Sequence, residues 1–319
     1  MSFFEIDDLN LLLLTYLDIF IDYHKIMRIN KCHYNFINQT KLYQSYKNLY
    51  MNLSIIIPKM YTHKSQEDVD KNFLSSIDFE LKYINSGSFG HVFKAMSNDD
   101  DKITFAIKMC AHPGHVEPRV LNLFRHFVTE RTIPHIVLPF GQFRTSITSK
   151  IPYIINDRNY KEFLDEYSVG KYENDVSVLI CEWYKGGDLL DYIRKNYLLM
   201  TLEYWTVILF QIIYTLAKIQ EYYPTFRHNC LKVNDILLQT TDIHHQHTCY
   251  LLGKVKFCMP DIGYHAKLWD FDFACIDGII ENNKVNAYWT KQLNITKTEN
   301  KYYDMHFFLD SVLRFFDVG

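Results

Sequence analysis

The sequence has no excess of positive charge: 34 Lys and Arg stand against 37 Asp and Glu, a net charge of −3. That excludes a general basic field for nucleic acid or for an anionic membrane surface. It also lacks any Cys-x-x-Cys pair. Its seven cysteines, at 32, 110, 181, 230, 249, 258 and 275, are scattered. An odd number without close spacing argues against a secreted disulfide framework and against a zinc ribbon, so a reducing, intracellular compartment is expected. No uncharged apolar run reaches the ~20 residues of a spanning helix. The strongly apolar stretch 11–21 is flanked or interrupted by Asp7, Asp8, Asp18 and Asp22. The chain starts acidic where a signal peptide starts basic, so this run reads as a buried helix and no membrane is expected. Asn-x-Ser/Thr triplets begin at Asn38, Asn52 and Asn294; with no other sign of secretion they read as chance matches.

The chain does have enough apolar residues to build a core: 48% apolar and 22% charged over 319 residues. That fits one two-lobed domain with an extension, or two small domains. Residues 1–74 read as an N-terminal extension, helical at 11–21 and polar, linker-like, at 60–74, of unknown role. From residue 77 the pattern changes. Residues 79–84 alternate as a strand does, a small-residue turn follows at 85–92, Phe93-Lys94-Ala95 continues as strand, and residues 104–109 form a third strand carrying one lysine, Lys108. Residues 116–128 have helical apolar spacing, with Glu117 and Pro118 in the first turn, where an acid and a proline are favoured. Residues 178–181 form an apolar strand that enters a Gly186-Gly187 break before a helix. Residues 202–222 predict a long core helix ending near Pro224.

Two stretches carry candidate chemistry. Residues 227–238 read RHNCLKVNDILL and residues 265–274 read HAKLWDFDFA. Between them lies a segment with His244, His245, His247, Cys249 and Cys258. These are zinc-type ligands, but no paired ligand spacing is present, so they read as a solvated turn.

Taken in order, six segments resemble protein serine/threonine kinases over about residues 77–315. The Asp-Phe-Asp form at 270–272, with its long preceding insertion, looks most like the divergent kinases of large DNA viruses. The resemblance implies an α+β, bilobal protein-kinase-like fold. Its β-rich small lobe would span 77–180 within a 75–319 domain, and its mainly helical large lobe would span 181–319, truncated at the C-terminus. It implies ATP and Mg²⁺ as cofactors and a protein as substrate or partner. No nucleic acid or membrane partner is expected, and the location is intracellular, in host cytoplasm or virion if viral.

On the ATP side it assigns Ile84, Asn85, Ser86, Gly87, Ser88, Phe89, Gly90, His91 and Val92 to the glycine-rich turn, with Asn85 where the family has its first glycine. Ala106 would line the site. Lys108 would neutralise the α/β-phosphates and pair with Glu117, or with Glu130 as the alternative. The backbone from Glu182 to Tyr184 would meet adenine, and Asp188 a ribose hydroxyl.

On the catalytic side, residues 227–238 resemble the loop HRDLKxxN. Lys232 is in place to stabilise the γ-phosphate, Cys230 stands where the family has its catalytic Asp, and Asp235 where it has a metal-binding Asn. Asp270 would hold Mg²⁺, and Asp272 replaces a glycine. Asp304 would cap the catalytic-loop backbone. No Ala-Pro-Glu motif follows. Two functions are therefore expected: a divergent kinase, or a nucleotide-binding pseudokinase or relic acting as an interaction module.

Overall fold

The computed structural model describes residues 79–86, 90–97, 104–110, 115–146, 161, 165–170, 175–241, 247–286, 295 and 300–317. The extension 1–74, and Gly87, Ser88 and Phe89 of the small-residue turn, lie outside the described residues. The chain divides into two compact units, Met1–His112 with Gly141–Ile180 and Pro113–Phe140 with Cys181–Gly319. Helices and antiparallel strand pairs make it an α+β protein.

The first unit is built on a five-stranded sheet of order β1-β2-β3-β5-β4. Its strands are β1 (Phe79–Ser86), β2 (His91–Ser97), β3 (Thr104–Cys110), β4 (Pro139–Ser146) and β5 (Asp175–Glu182). The last two run past the unit's boundaries. β2 lies antiparallel to β3, with Val92 opposite Lys108 and Lys94 opposite Ala106. Opposed residues share a face, so Val92, Lys94, Ala106 and Lys108 lie on one side. Phe93, Ala95, Phe105 and Ile107 lie on the other and are buried. The alternation read at residues 79–84 falls on β1, where Leu81 and Tyr83 are half-buried while Glu80, Lys82 and Ile84 are exposed; the buried face of the sheet lies on β2 and β3. A bulge at Ile84 breaks the β1–β2 register before Asn85 pairs with Val92. Gly90 cannot carry a side chain, because a Cβ there would lie 2.6 Å from the Met109 carbonyl oxygen.

The second unit holds α1 (Glu117–Thr129), α2 (Leu189–Asn196), α3 (Leu202–Tyr222) and α4 (Tyr303–Asp317). It also holds β6 (Ile236–Thr240), β7 (His247–Leu252), β8 (Val255–Pro260) and β9 (Tyr264–Leu268). Thr201 caps α3 by accepting from the Tyr204 amide, as a threonine N-cap should. α3 is long and apolar enough to cross a membrane by length and composition. Its stripe of Val207, Ile208, Ile212, Leu216 and Ile219 is buried within this unit, which is the behaviour of a core helix.

The segment between residues 241 and 264, read from sequence as a solvated turn, contains the hairpin β7–β8. Cys249 and Cys258 are directly opposed across it with a Cα–Cα distance of 4.2 Å and form a disulfide. The sequence reading, which argued from the scattered cysteines against a disulfide framework, did not foresee this pair. A separation of nine residues becomes a cross-strand pair only once the hairpin register is known. The visible signal was Gly253 in a two-residue turn between alternating runs, with φ of +56°.

The hairpin is anchored through Tyr250. His135 Nδ1 donates to the Ala266 carbonyl (2.9 Å), and His135 Nε2 accepts from the Tyr250 hydroxyl (3.1 Å). That hydroxyl accepts from Gln211 Nε2 (3.4 Å), whose Oε1 accepts from the Ala266 amide (2.8 Å). The ring of partners leaves His135 neutral, and burial, then His265 and Lys267, push its pKa well below the ordinary value. Neighbouring His265 is lowered to about 4, first by burial and then by Lys267 and Arg131, with Asp261 opposing.

A depressed folded-state pKa means that the unfolded chain binds more protons in acid. Stability is therefore full above the unfolded value near 6.5 and is lost as pH falls from there toward about 4. The loss is up to about 3 kcal/mol for His265. Urea midpoints at pH 7.5, 6 and 5 should fall steadily for the wild type and less steeply for His265→Gln. Parallel slopes would refute the assignment.

Candidate functional site

The register of one strand pair builds the centre of the second unit. β6 pairs with β9 so that Ile236 opposes Leu268. The pairing extends one step further, with the Trp269 amide donating to the Asp235 carbonyl at 3.1 Å. Asp235 and Asp270 therefore leave the same end of one ladder. A one-residue slip would turn every side chain of β9 to the opposite face and carry Asp270 away.

The loop before β6 is held from outside by α4. Asp304, 1% exposed, accepts from the His228 amide through Oδ2 and from the Asn229 amide through Oδ1, both at 2.8 Å. This is the capping role expected of it. Asn229 has φ of +68°, in the left-handed region, and its side-chain amide donates to the Phe273 carbonyl (3.0 Å). Ser311 of α4 accepts from the Val233 amide (3.0 Å). The arrangement fixes residues 228–233 before any ligand arrives. Asp235 then caps the short turn Val233–Asp235 by accepting from the Lys232 amide (2.8 Å).

Cys230, Lys232, Asp235 and Asp270 lie within electrostatic reach of one another. Burial pushes the Cys230 thiol up to about 11, with Asp235 and Asp270 adding to the rise and Lys232 opposing it. For Lys232, burial alone would lower the pKa, but Asp235, Cys230 and Asp270 raise it overall. The ammonium stays charged and the thiol stays neutral at physiological pH. The set is thus one fixed cation, two carboxylates and a protonated thiol.

Asp270 itself is in the left-handed region at φ 63° and ψ 54°, a conformation that, glycine apart, asparagine and aspartate visit most readily. The turn Phe271–Phe273 follows it. Phe271 is buried against Phe124 of α1 (ring centroids 6.0 Å apart) and against Phe226 (6.4 Å). The Phe271 amide donates to Glu117 Oε1 at 3.2 Å. Glu117 is fully buried in the first turn of α1, whereas Glu130, the sequence alternative, is exposed at the far end of that helix. Lys108 is buried on β3 in the first unit and Glu117 stands in the second.

The strand-to-helix connection is also ordered from within. The Glu182 amide donates to the Leu138 carbonyl (3.0 Å), so it is committed to the protein and not to a ligand. The Glu182 carboxylate accepts from the Tyr184 hydroxyl (3.0 Å) and from Gln239 (3.1 Å). The side chains of Glu182 and Tyr184 are thus buried and engaged within the protein, while Trp183 between them is half-buried. Asp188 caps α2 by accepting from the Asp191 amide (2.8 Å). Burial raises its pKa, with that amide opposing. Gly187 has φ of +71°, and a Cβ on Gly186 would lie 2.5 Å from the Leu238 carbonyl oxygen. Glycine is thus required at 186 by the close approach of β6 and favoured at 187 by the left-handed backbone. Gly186→Ala should cost about 1–3 kcal/mol through overpacking, read as a lowered urea midpoint; an unchanged midpoint would overturn this.

The sequence reading missed the groups around Asp272. His115 Nδ1 lies 2.5 Å and Lys284 Nζ 3.2 Å from Asp272 Oδ1. Asn282 donates to the carbonyls of Asp272 (2.9 Å) and Ala274 (3.0 Å). Nothing local marks His115 or Lys284 as partners of residue 272, since only the tertiary fold brings them together.

A catalytic-type loop braced by a buried carboxylate, facing an Asp-Phe-Asp turn across one strand pair, is the arrangement of a protein-kinase-like chain. Comparison with known proteins agrees. The family model described as poxvirus serine/threonine protein kinase matches residues 148–318, and the chain belongs to that family. Two curated proteins of Acanthamoeba polyphaga mimivirus, each named a putative serine/threonine-protein kinase, are similar to it. One is 47% identical over 273 residues, covering 77% of this chain and 58% of the relative. The other is 40% identical over 80 residues, covering 24% of this chain and 20% of the relative. The chain thus spans little more than half the length of the first of these.

Proposed function

We propose that this chain binds Mg-ATP and transfers the γ-phosphate to a protein hydroxyl, slowly, as a divergent serine/threonine kinase. The observation that carries this reading is the braced set of Lys232, Asp235 and Asp270. Two carboxylates leaving one ladder end beside a fixed ammonium suit a hard cation and the phosphates it accompanies. Asp270 and Asp235 would hold Mg²⁺, which when bound neutralises phosphate charge. Lys232 is charged for the γ-phosphate. On the nucleotide side, residues 84–92, Ala106, Lys108 with Glu117, the backbone of Glu182–Tyr184 and Asp188 are assigned by their resemblance to the kinase pattern.

A second reading rests on Cys230. A thiol with its pKa near 11 neither orients a hydroxyl as a carboxylate does nor takes its proton at neutral pH. On this reading the chain is a nucleotide-binding pseudokinase that acts as an interaction module.

Transfer of γ-phosphate to a generic basic protein separates the two. Slow transfer by the wild type, abolished in Lys108→Ala, supports the enzyme; transfer by Cys230→Asp alone supports the pseudokinase. Mg-ATP should also raise the melting temperature of the wild type. No shift at millimolar ATP would sink both readings.

A further inference from the structure

We infer that Asp272, with Lys284 and His115, is a positioning residue that locks the Asp270 turn in one conformation. The inference rests on the proposed reading of Asp270 as a metal-holding group.

A glycine at position 272 would leave the turn free to rotate, since glycine reaches backbone regions closed to other residues. Here the position carries a carboxylate whose side chain is 4% exposed, in contact with the equally buried ammonium of Lys284 and imidazole of His115. These partners come from different directions. His115 sits immediately before α1, and its Nε2 lies 3.8 Å from Glu117 Oε2. Glu117 in turn accepts from the Phe271 amide. Lys284 follows Asn282, whose amide holds the Asp272 and Ala274 carbonyls and whose Oδ1 accepts from the Lys284 amide (3.1 Å).

The turn is therefore bound through main chain and side chain on both flanks of residue 272. Rotating it would expose or separate buried charges, a cost far above that of a glycine hinge. Asp270 gains a fixed direction from groups that never touch a ligand. The same groups tie the base of α1 and the segment 282–284 to that direction. Metal holding and the position of α1 thus become one state rather than two independently adjustable ones.

The test uses the full chain and Mg²⁺ itself. Nucleotide affinity is titrated against Mg²⁺ at fixed ATP, and separately without divalent metal, for wild type, Asp272→Gly, Lys284→Met and Lys284→Arg. Loss of an outer partner of a metal-holding carboxylate typically weakens metal affinity about 10–100-fold. Asp272→Gly and Lys284→Met should weaken the Mg²⁺-dependent part by about that factor and leave metal-free binding unchanged, while Lys284→Arg retains wild-type behaviour. Equal loss of both parts, or no loss in folded variants, overturns the inference. Hydrogen exchange of amides 270–276 without ligand is the companion measurement, and it serves even if the wild type binds no Mg-ATP. Lys284→Met should speed that exchange and Lys284→Arg should not. Unchanged exchange in Lys284→Met refutes the lock whatever the fate of the proposed function.

Discussion

Replacing Cys230 by aspartate raises the rate of γ-phosphate transfer by about 10²–10⁴-fold, the usual contribution of a positioned general base. The thiol in the native chain has its pKa pushed up to about 11 by burial, with two carboxylates adding to the rise. About one molecule in ten thousand then carries a thiolate at pH 7, and a neutral thiol is a weak acceptor for a substrate hydroxyl. An aspartate of similar size at 230 supplies an acceptor, and the Lys232 ammonium, which already interacts with this position, favours its ionised form. Metal-ion and nucleotide affinity should change little, since the change falls on the hydroxyl side of the site. The pH profile adds a second readout. Were the rare thiolate the working base, the wild-type rate would climb about tenfold per pH unit until the thiol titrates. A wild type without a base should show no such climb. A folded Cys230→Asp protein no faster than wild type would remove residue 230 from the chemistry.

The second large effect is on stability. Asp304→Ala should destabilise the chain by about 3–6 kcal/mol, because each hydrogen bond to a charged acceptor is worth about 1.5–3 kcal/mol and two buried amides lose theirs together. Those amides belong to His228 and Asn229, both fully buried, and no water replaces the carboxylate readily there. Asp304→Asn keeps one acceptor oxygen and should lose about half as much. Denaturant midpoints check both. A change below about 1 kcal/mol in Asp304→Ala would mean that the loop is held by Ser311 and the strand ladder alone.

Much of this was legible before folding. The first three strands of the first unit, α1 and α3 were readable because alternation and helical spacing are local signals, and Glu117, Asp188, Lys232, Asp235, Asp270 and Asp304 could be singled out because they stand in segments that resemble the kinase pattern. The β7–β8 hairpin was not read, because His244, His245 and His247 drew attention to polarity and masked the alternation beyond them. The disulfide went unread for the same reason, since opposition of Cys249 to Cys258 is a property of register. The partners of Asp272 lie far away in sequence at His115, or in an unpatterned loop at Lys284, and no local pattern can announce a contact closed only by tertiary packing. The neutrality of Cys230 was foreseeable from the ordinary pKa of a thiol; the further rise comes first from burial, which sequence does not display.

The nesting of one hairpin inside another has a consequence for how this chain folds. β7–β8 closes on the short turn at Gly253 and lies wholly between β6 and β9. Once the inner hairpin has zipped, the outer strands are brought near each other, so Asp235 and Asp270, 35 positions apart (270 − 235), meet at a small additional loop-closure cost. The pair forms by local propagation and need not await a long-range search, and contacts closed locally form faster than non-local ones. The insertion that widens the gap in sequence thus acts as a folding guide, delivering both carboxylates to the same end of the ladder in one continuous process.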